Sequence, residues 1–281
     1  MTTTLRPSGP LQRGADGATS RGYDVCVNGR PVGAVELSTD PALGPSAGVV
    51  RSLHIDEPDR RRGRGTVAAL AAEEVLRGWG CDRVRASVPA EATAALRLST
   101  ALGYVEQSRN MLKELPVGPL PELPEGVRGR PMTEAEFQDW LDTAVDDYAR
   151  AWTGRGMPTE QARAKSEADH REQLGDGLAT RRTWMRVLEA AGTPVGHVWV
   201  GEREVRPGER GAYVYDVGVA ARHRGRGHGR ALMLLAERVA RSDAAADLIG
   251  LHVFANNTPA LRLYASLGYV TTRVNVAKQL L

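Results

Sequence analysis

The stretch Arg222–Leu232, RHRGRGHGRAL, sets glycines at 225, 227 and 229 among four arginines, and a helix-forming run, MLLAERVA, follows directly. A strand that enters a glycine loop opening a helix presents unpaired backbone N–H groups, and the helix macrodipole adds about half a positive charge at that end. Glycine permits unusual φ values and leaves no Cβ in a ligand's way, and arginines add charge-assisted bonds to anionic oxygens. The chemistry this spacing suits is the cradling of a phosphate. The string GxxxxGK[ST] of a P-loop is absent. A dinucleotide fingerprint needs GxGxxG after the first strand, whereas this loop follows the fourth expected strand and reads GxGxG. A single-stranded nucleic-acid surface wants aromatic residues among the basic ones, and the loop has none.

The elements that position this loop occur twice. NGRPVGAVEL from Asn28 aligns with AGTPVGHVWV from Ala191, RRRGRG from Arg60 with RGRGHG from Arg224, and ALRLSTALGYV from Ala95 with ALRLYASLGYV from Ala260; the offsets are 163, 164 and 165. A repeat this long points to duplicated domains rather than a solenoid. Between the copies lies LPVGPLPELPEG (115–126), whose four prolines read as a semi-rigid linker. Each half is expected to contain a hairpin, around Asn28-Gly29 or Ala191-Gly192, then a strand (48–55 or 212–220), the glycine loop with its helix, a strand (84–88 or 248–254), and a helix ending at Gly103 or Gly268. A last strand begins at Tyr104 or Tyr269. The alternation predicts an α/β fold, with each half a central mixed β-sheet flanked by helices. The second half carries about fifty-five additional residues in front of its hairpin, with a capping box at Thr133–Glu136, one helix presenting Phe137, Trp140, Leu141, Ala144, Val145, Tyr148 and Trp152 on one face, and a more polar helix over 158–174. The first half has only a Gly/Pro/Ser-rich tail there, so it is expected to be truncated and degenerate. The resulting division is a flexible tail over 1–20, a degenerate domain over 21–114, the linker over 115–126 and a complete domain over 127–281.

Composition sets outer limits. The chain has 281 residues, 42% hydrophobic and 25% charged, with a formal net charge of +3, which gives no bulk electrostatic case for nucleic acid. Two cysteines, Cys26 and Cys81, suit a reducing compartment. No apolar run approaches ~20 residues and no apolar leader opens the chain, so a cytoplasmic protein without membrane contact is expected.

The loop and the second copy's later motif together resemble the GCN5-related N-acetyltransferases. That family's pyrophosphate loop, Arg/Gln-x-x-Gly-x-Gly/Ala between the fourth strand and third helix, corresponds to Arg224-Gly225-Arg226-Gly227-His228-Gly229, followed by Arg230; Val219 stands five residues ahead where the family has a hydrophobic residue. Its second signature corresponds to Asn257, Ala260, Leu263-Tyr264 and Gly268-Tyr269. The resemblance covers about 150 residues from Gly126 and, less completely, the first half. The doubled arrangement resembles that of the mycothiol synthases, a tandem branch of the family, in architecture and without carrying over a substrate.

The resemblance implies an acetyl-CoA-dependent N-acetyltransferase with no metal. Backbone groups at Val217 and Val219 would pair with the pantetheine, Asn257 would bond it or cap its helix, and Tyr264 would take the general-acid position. Acetyl transfer also needs a neutral amine, and deprotonating an alkyl ammonium at pH 7 costs about 4–5 kcal/mol. Asp216, on the strand before the loop, is the candidate base or water-holder; Glu202 and Glu204 are further candidates. In the first half Arg60, Gly63 and Gly65 keep the loop pattern as a possible second CoA site, but Ser52, Ala92 and Ser99 stand where the second half has Asp216, Asn257 and Tyr264. The acceptor is expected to be a small-molecule or peptide amine. Acids crowding the helix over 133–152, notably Asp142, Asp146 and Asp147, suggest a cationic one. A monomer and a homodimer both remain open, and a non-catalytic acyl-CoA sensor or scaffold is the alternative, since it would keep the loop without needing Tyr264.

Overall fold

The computed structural model describes residues 2–44, 46–154 and 157–280. Along the first half run β1 (Thr3–Pro7), β2 (Gln12–Arg13), β3 (Thr19–Val27), β4 (Arg30–Thr39), β5 (Ala47–Ile55), α1 (Arg64–Gly78), β6 (Arg83–Pro89), α2 (Thr93–Ala101) and β7 (Val105–Glu114). The second half contributes β8 (Val127–Pro131), α3 (Glu134–Thr153), α4 (Thr159–Gln173), β9 (Thr183–Ala190), β10 (Thr193–Arg206), β11 (Glu209–Val219), α5 (His228–Ser242), β12 (Leu248–Phe254), α6 (Thr258–Ser266) and β13 (Val270–Gln279). This is a mixed α/β fold, and the duplication is visible element by element.

Local chemistry accounts for the shared frame. Both hairpins turn through two left-handed residues, Asn28 (φ 49) and Gly29 (φ 83) in one and Ala191 (φ 49) and Gly192 (φ 76) in the other, the backbone of the tight primed turn that matches strand twist. The antiparallel pairing of β4 with β5 slips by one residue at Glu36/Leu37, and that of β10 with β11 at Trp199/Val200. These are bulges, with Arg51 and Tyr215 the extra residues, and each bends its strand. Beyond the bulge the next strand diverges: β5 pairs with β6 only over 47–50, and β11 with β12 only over 212–214.

The chain divides into two compact units, and these do not follow the repeat. Unit 1 is Met1–Ser108 with Arg273–Leu281; unit 2 is Arg109–Thr272. In unit 1 the strand order is β1-β3-β4-β5-β6-β13, with β2 on β3. In unit 2 it is β7-β12-β11-β10-β9-β8. Each unit therefore receives the last strand of the opposite half. The C-terminal strand pairs antiparallel with β6 from Arg273↔Pro89 to Gln279↔Arg83. A buried ion pair accompanies each exchange. In unit 1 Lys278 Nζ lies 2.7 Å from the carboxylate of Glu73 on α1 and sits over the Tyr104 ring. In unit 2 Lys113 Nζ lies 2.7 Å from that of Glu237 on α5 and sits over the Tyr269 ring. Glu73 and Glu237 are 1% and 0% exposed, so each depends on a lysine supplied by the other copy's strand. Burial, and then the neighbouring carboxylate, holds both the Tyr104 and Tyr269 phenols well above their ordinary range.

The expected flexible tail over 1–20 is corrected by the structure. β1 pairs with β3 from Thr3↔Val27 to Pro7↔Tyr23, and Arg6 bonds Asp24. Leu5 packs against the unit 1 core while its neighbours face outward, which is enough apolar burial to hold a short edge strand. Unit 1 contains only α1 and α2 among the described residues, so the face that α3 and α4 cover in unit 2 has no helical counterpart.

Candidate active site

Four elements of unit 2 converge on one cluster. The capping box of α3 is present as read: Thr133 accepts from the Glu136 N–H, and Glu136 accepts from the Thr133 N–H. Arg130 grips the Glu136 carboxylate through two 2.7 Å bonds, fixing the start of α3 against β8. One turn further, Phe137 and Trp140 are buried against Met185, Val187 and Trp199. From there the Trp140 indole N–H donates to Asp216 Oδ2 on β11 at 3.0 Å, and His197 Nε2 on β10 lies 2.8 Å from the same oxygen. The His197 ring occupies a space left by Gly218: a Cβ at 218 would stand 2.6 Å from Cε1 and 2.9 Å from Nε2. His197 and Gly218 are register partners across β10 and β11.

Asp216 was the sequence candidate for the base, and its surroundings argue for a different task. Burial works to raise its pKa, but the His197 hydrogen bond and charge, the Trp140 N–H and the Val217 backbone together hold it below the ordinary carboxylate range. It is an ionised acceptor that receives the Trp140 N–H and lies in hydrogen-bond contact with a His197 ring nitrogen. His197 was not singled out in the sequence. The signal available there was its repeat partner: Ala34 occupies the equivalent place in the first half, as Ser52 does for Asp216.

Tyr264, on α6, is 6% exposed. Burial first, and then the Asp216 charge, pushes its phenol up to about 12, so it stays protonated at neutral pH and serves as a hydrogen-bond donor. Asn257 caps α6, its side chain accepting from the Ala260 N–H at 3.3 Å. Of the other base candidates, Glu202 is engaged by Arg182 and Arg210, and Glu204 is exposed near the far end of β10. No group of three or more metal-ligating side chains occurs among the described residues.

The glycine loop lies between β11 and α5. Gly225 and Gly227 adopt φ of 74 and 82, with open space where a Cβ would project, so glycine serves the left-handed backbone rather than a tight contact. Gly229 is the packing glycine, its Cβ position 3.3 Å from Leu263. Arg224 is tied by Nε to the Val219 carbonyl, while Arg226 is exposed with no hydrogen-bond or ion-pair partner among the described residues. Desolvation, then the charges of Arg222 and Arg226, holds the His223 imidazole below its usual value, a sign of the positive potential an anion would meet. Val217 and Val219 lie on the part of β11 beyond its pairing with β12, bonded to β10 alone in the described register.

The equivalent loop of unit 1 is built differently. Arg60 Nε reaches the Ile55 carbonyl as Arg224 reaches Val219, and Gly63 keeps φ 74. But Asp59 is 5% exposed, takes both guanidinium nitrogens of Arg30 and is ion-paired to the buried Arg64, and Asp56 and Glu57 add two more acids. Gly65 lies 3.6 Å, at its Cβ position, from Leu98.

The helix acids that suggested a cationic acceptor are largely neutralised. Asp146 and Glu167 bond Arg163, Asp147 bonds Arg150, and Asp169 bonds Lys165. A surface of paired charges gives that expectation no support. Beside the cluster the wall is aromatic: Trp199 stacks on Tyr215 at 4.7 Å, and Trp140 packs edge-on to Trp199 and beside His170.

The model of the Acetyltransferase (GNAT) family matches twice, at residues 6–104 and 137–269. The chain belongs to that family. A mycothiol acetyltransferase of Thermobispora bispora is 32% identical over 221 residues, 76% of this chain and 71% of that protein. One of Saccharomonospora viridis is 30% identical over 97% of this chain and 87% of its own length. An uncharacterized N-acetyltransferase of Bacillus subtilis, YdgE, is 30% identical over 53% of this chain and 95% of its length. The crystal structure of a GCN5-related N-acetyltransferase from Sphaerobacter thermophilus superposes with a TM-score of 0.59 at 21% identity, covering 92% of this chain and 80% of that one. The protein is thus a tandem N-acetyltransferase, with family models falling on both copies. Enzymes of this family use acetyl-CoA as co-substrate and act on amine acceptors in general. No helix among the described residues is long and apolar enough to cross a membrane.

Proposed function

We propose that unit 2 alone carries out the reaction, moving an acetyl group from acetyl-CoA to a primary amine by direct attack. The observation that carries this reading is the coincidence, on one strand, of three features: the bulge at Tyr215, the part of β11 left without β12 beyond Val214, and the basic glycine loop that opens α5. Loop N–H groups and Arg226 suit the pyrophosphate, and the free edge at Val217–Val219 suits an extended pantetheine added like a strand. A backbone N–H there can polarise the thioester carbonyl, where negative charge develops. Tyr264 then donates a hydrogen bond to the departing sulfur. With its pKa at about 12 against about 8.5 for a thiol, outright proton transfer from the phenol is uphill by about 5 kcal/mol, so Tyr264 stabilises the thiolate and solvent completes the protonation.

Unit 1 is proposed as a structural copy. Its Arg60, Gly63 and Gly65 stand in a loop whose acids and internal ion pairs oppose a pyrophosphate. The acceptor is a small-molecule amine; the relatives named mycothiol acetyltransferase bring one candidate, mycothiol lacking its acetyl group. The test is release of free thiol from acetyl-CoA with that amine, glucosamine, tyramine and spermidine, alongside calorimetric titration of acetyl-CoA. One binding site and amine-dependent thiol release are expected. Binding without any amine-dependent release would replace the enzyme by a sensor or scaffold, and two equal sites would overturn the reading of unit 1.

A further inference from the structure

We infer that His197 is the group that removes the amine's proton and that Asp216 and Trp140 are positioning residues which fix its tautomer; the inference rests on the acetyl-transfer reading above. An ionised carboxylate only accepts hydrogen bonds. Asp216 Oδ2 already takes the Trp140 N–H, so the contact from His197 Nε2 at 2.8 Å must also be a donated proton. That assigns the Nε2–H tautomer and leaves the lone pair on Nδ1, which has no partner among the described residues. His197 keeps part of its side chain open to solvent, at 27% exposure. A carboxylate behind an imidazole both orients it and stabilises the cation formed when it takes a proton.

Placement agrees with the chemistry. The imidazole lies against Gly218, the residue between Val217 and Val219, so it is beside the backbone proposed to hold the thioester end of the pantetheine. The absence of a Cβ at 218 is what admits the ring, and the first half has His54 in that place and Ala34 opposite it. His197, Asp216 and Tyr264 are thus replaced together, by Ala34, Ser52 and Ser99, in the copy that also lost α3 and its tryptophan.

The proton and electron movements balance as follows. Nδ1 of His197 takes one proton from the incoming ammonium. The freed nitrogen lone pair forms the C–N bond to the acetyl carbonyl carbon, and the C–S bond breaks with its electron pair on sulfur. The remaining excess N–H proton and the thiolate's proton exchange through solvent beside the Tyr264 phenol, and His197 returns its proton to solvent. The sum is ammonium plus thioester giving amide, thiol and one proton.

The groups facing His197 are few. Asp216 faces it from β11, Val187 is its partner on β9, and Trp140 packs on it from α3. Tyr264 on α6 feels the Asp216 charge, and beyond Trp140 on α4 His170 is held by Nδ1 to the Ser166 carbonyl. The test uses two acceptors of matched size: methylamine, protonated at pH 7, and hydroxylamine, neutral there. His197→Gln, which keeps a donor toward Asp216, is expected to lower methylamine turnover by about 10²–10⁴-fold and to leave hydroxylamine turnover and acetyl-CoA affinity within a few-fold. In ¹⁵N-labelled protein the His197 ring is expected to show the Nε2–H tautomer, lost in Asp216→Asn. An equal fall with both amines, an unchanged rate with methylamine, or an Nδ1–H tautomer in the wild type would overturn the assignment while leaving acetyl transfer standing. Acetyl-CoA binding without transfer to any amine would remove the reaction, and this role with it.

Discussion

Two loops share one backbone and differ in what surrounds it. Each leaves a bulged strand, ties the arginine three residues before its capping glycine, Arg60 or Arg224, back to that strand's last carbonyl, and caps a fifteen-residue helix with that left-handed glycine, Gly63 or Gly227. The difference lies in the charges. Over 220–230 the loop before α5 carries four arginines and no acid, whereas the equivalent 56–66 before α1 sets its four arginines against Asp56, Glu57 and Asp59, with Arg64 turned inward onto Asp59. At the position of Gly225 the first copy has Arg61, held at φ 57. Backbone geometry survives because the helix needs a start. Ligand affinity requires net positive potential and open N–H groups, and one copy has spent neither on itself.

The comparison can be broken at several points. The largest effect is expected from Tyr264→Phe, which removes the donor to the leaving sulfur and should lower kcat by about 10²–10³-fold with acetyl-CoA affinity retained; Ser99→Ala in the other copy should change neither. An unaltered kcat in Tyr264→Phe would leave the two copies chemically alike. Next come the exchanged lysines. Lys113→Met and Lys278→Met should each destabilise by about 3–5 kcal/mol, since each strands a buried carboxylate, and the equality of the two losses in denaturant melts is the point. A marked inequality would show that only one copy relies on the other's strand.

Acid sharpens the contrast further. The Arg130 bonds, opposed by burial and aided by Thr133, hold the Glu136 carboxyl down to about 2 from its ordinary 4.5. A carboxyl depressed on folding contributes stability above its unfolded pKa and loses it as pH falls toward the folded one. The contribution, about 1–3 kcal/mol after allowance for partial exposure, should therefore fade between pH 4.5 and 2 in the wild type and be missing in Glu136→Gln. Unit 1 has no α3 and no matching loss. If both proteins show the same acid profile, the clamp is only a surface pair. The smallest effect is expected at Arg61→Gly, a gain of about 1 kcal/mol from relieving a left-handed non-glycine, measured by thermal melting; no gain would mean that Arg61 makes compensating contacts.

Much of this was legible in the residues themselves. Turns, caps and glycine loops depend on local backbone chemistry, so Asn28-Gly29, the Thr133–Glu136 box and the strand before each loop fall where the sequence puts them. Edge strand β1 was missed because one half-buried leucine among polar neighbours carries too little pattern. His197 was missed because a lone histidine in PVGHVWV says nothing of a partner nineteen residues away; only the β10–β11 register brings it to Asp216. The exchange of β7 and β13 is invisible for a deeper reason: the two strands follow nearly identical sequences, ALGYV and SLGYV, so either fits beside either neighbour and local preference cannot choose.

That exchange also sets a timetable for synthesis. Every residue of unit 2 lies between Arg109 and Thr272, so it has all its strands once position 272 has left the ribosome. Unit 1 begins earlier but waits for Arg273–Leu281, which follow all of unit 2 along the chain. The half made first is therefore completed second, and a chain cut after Thr272 would keep every strand of unit 2 while leaving unit 1 one strand short.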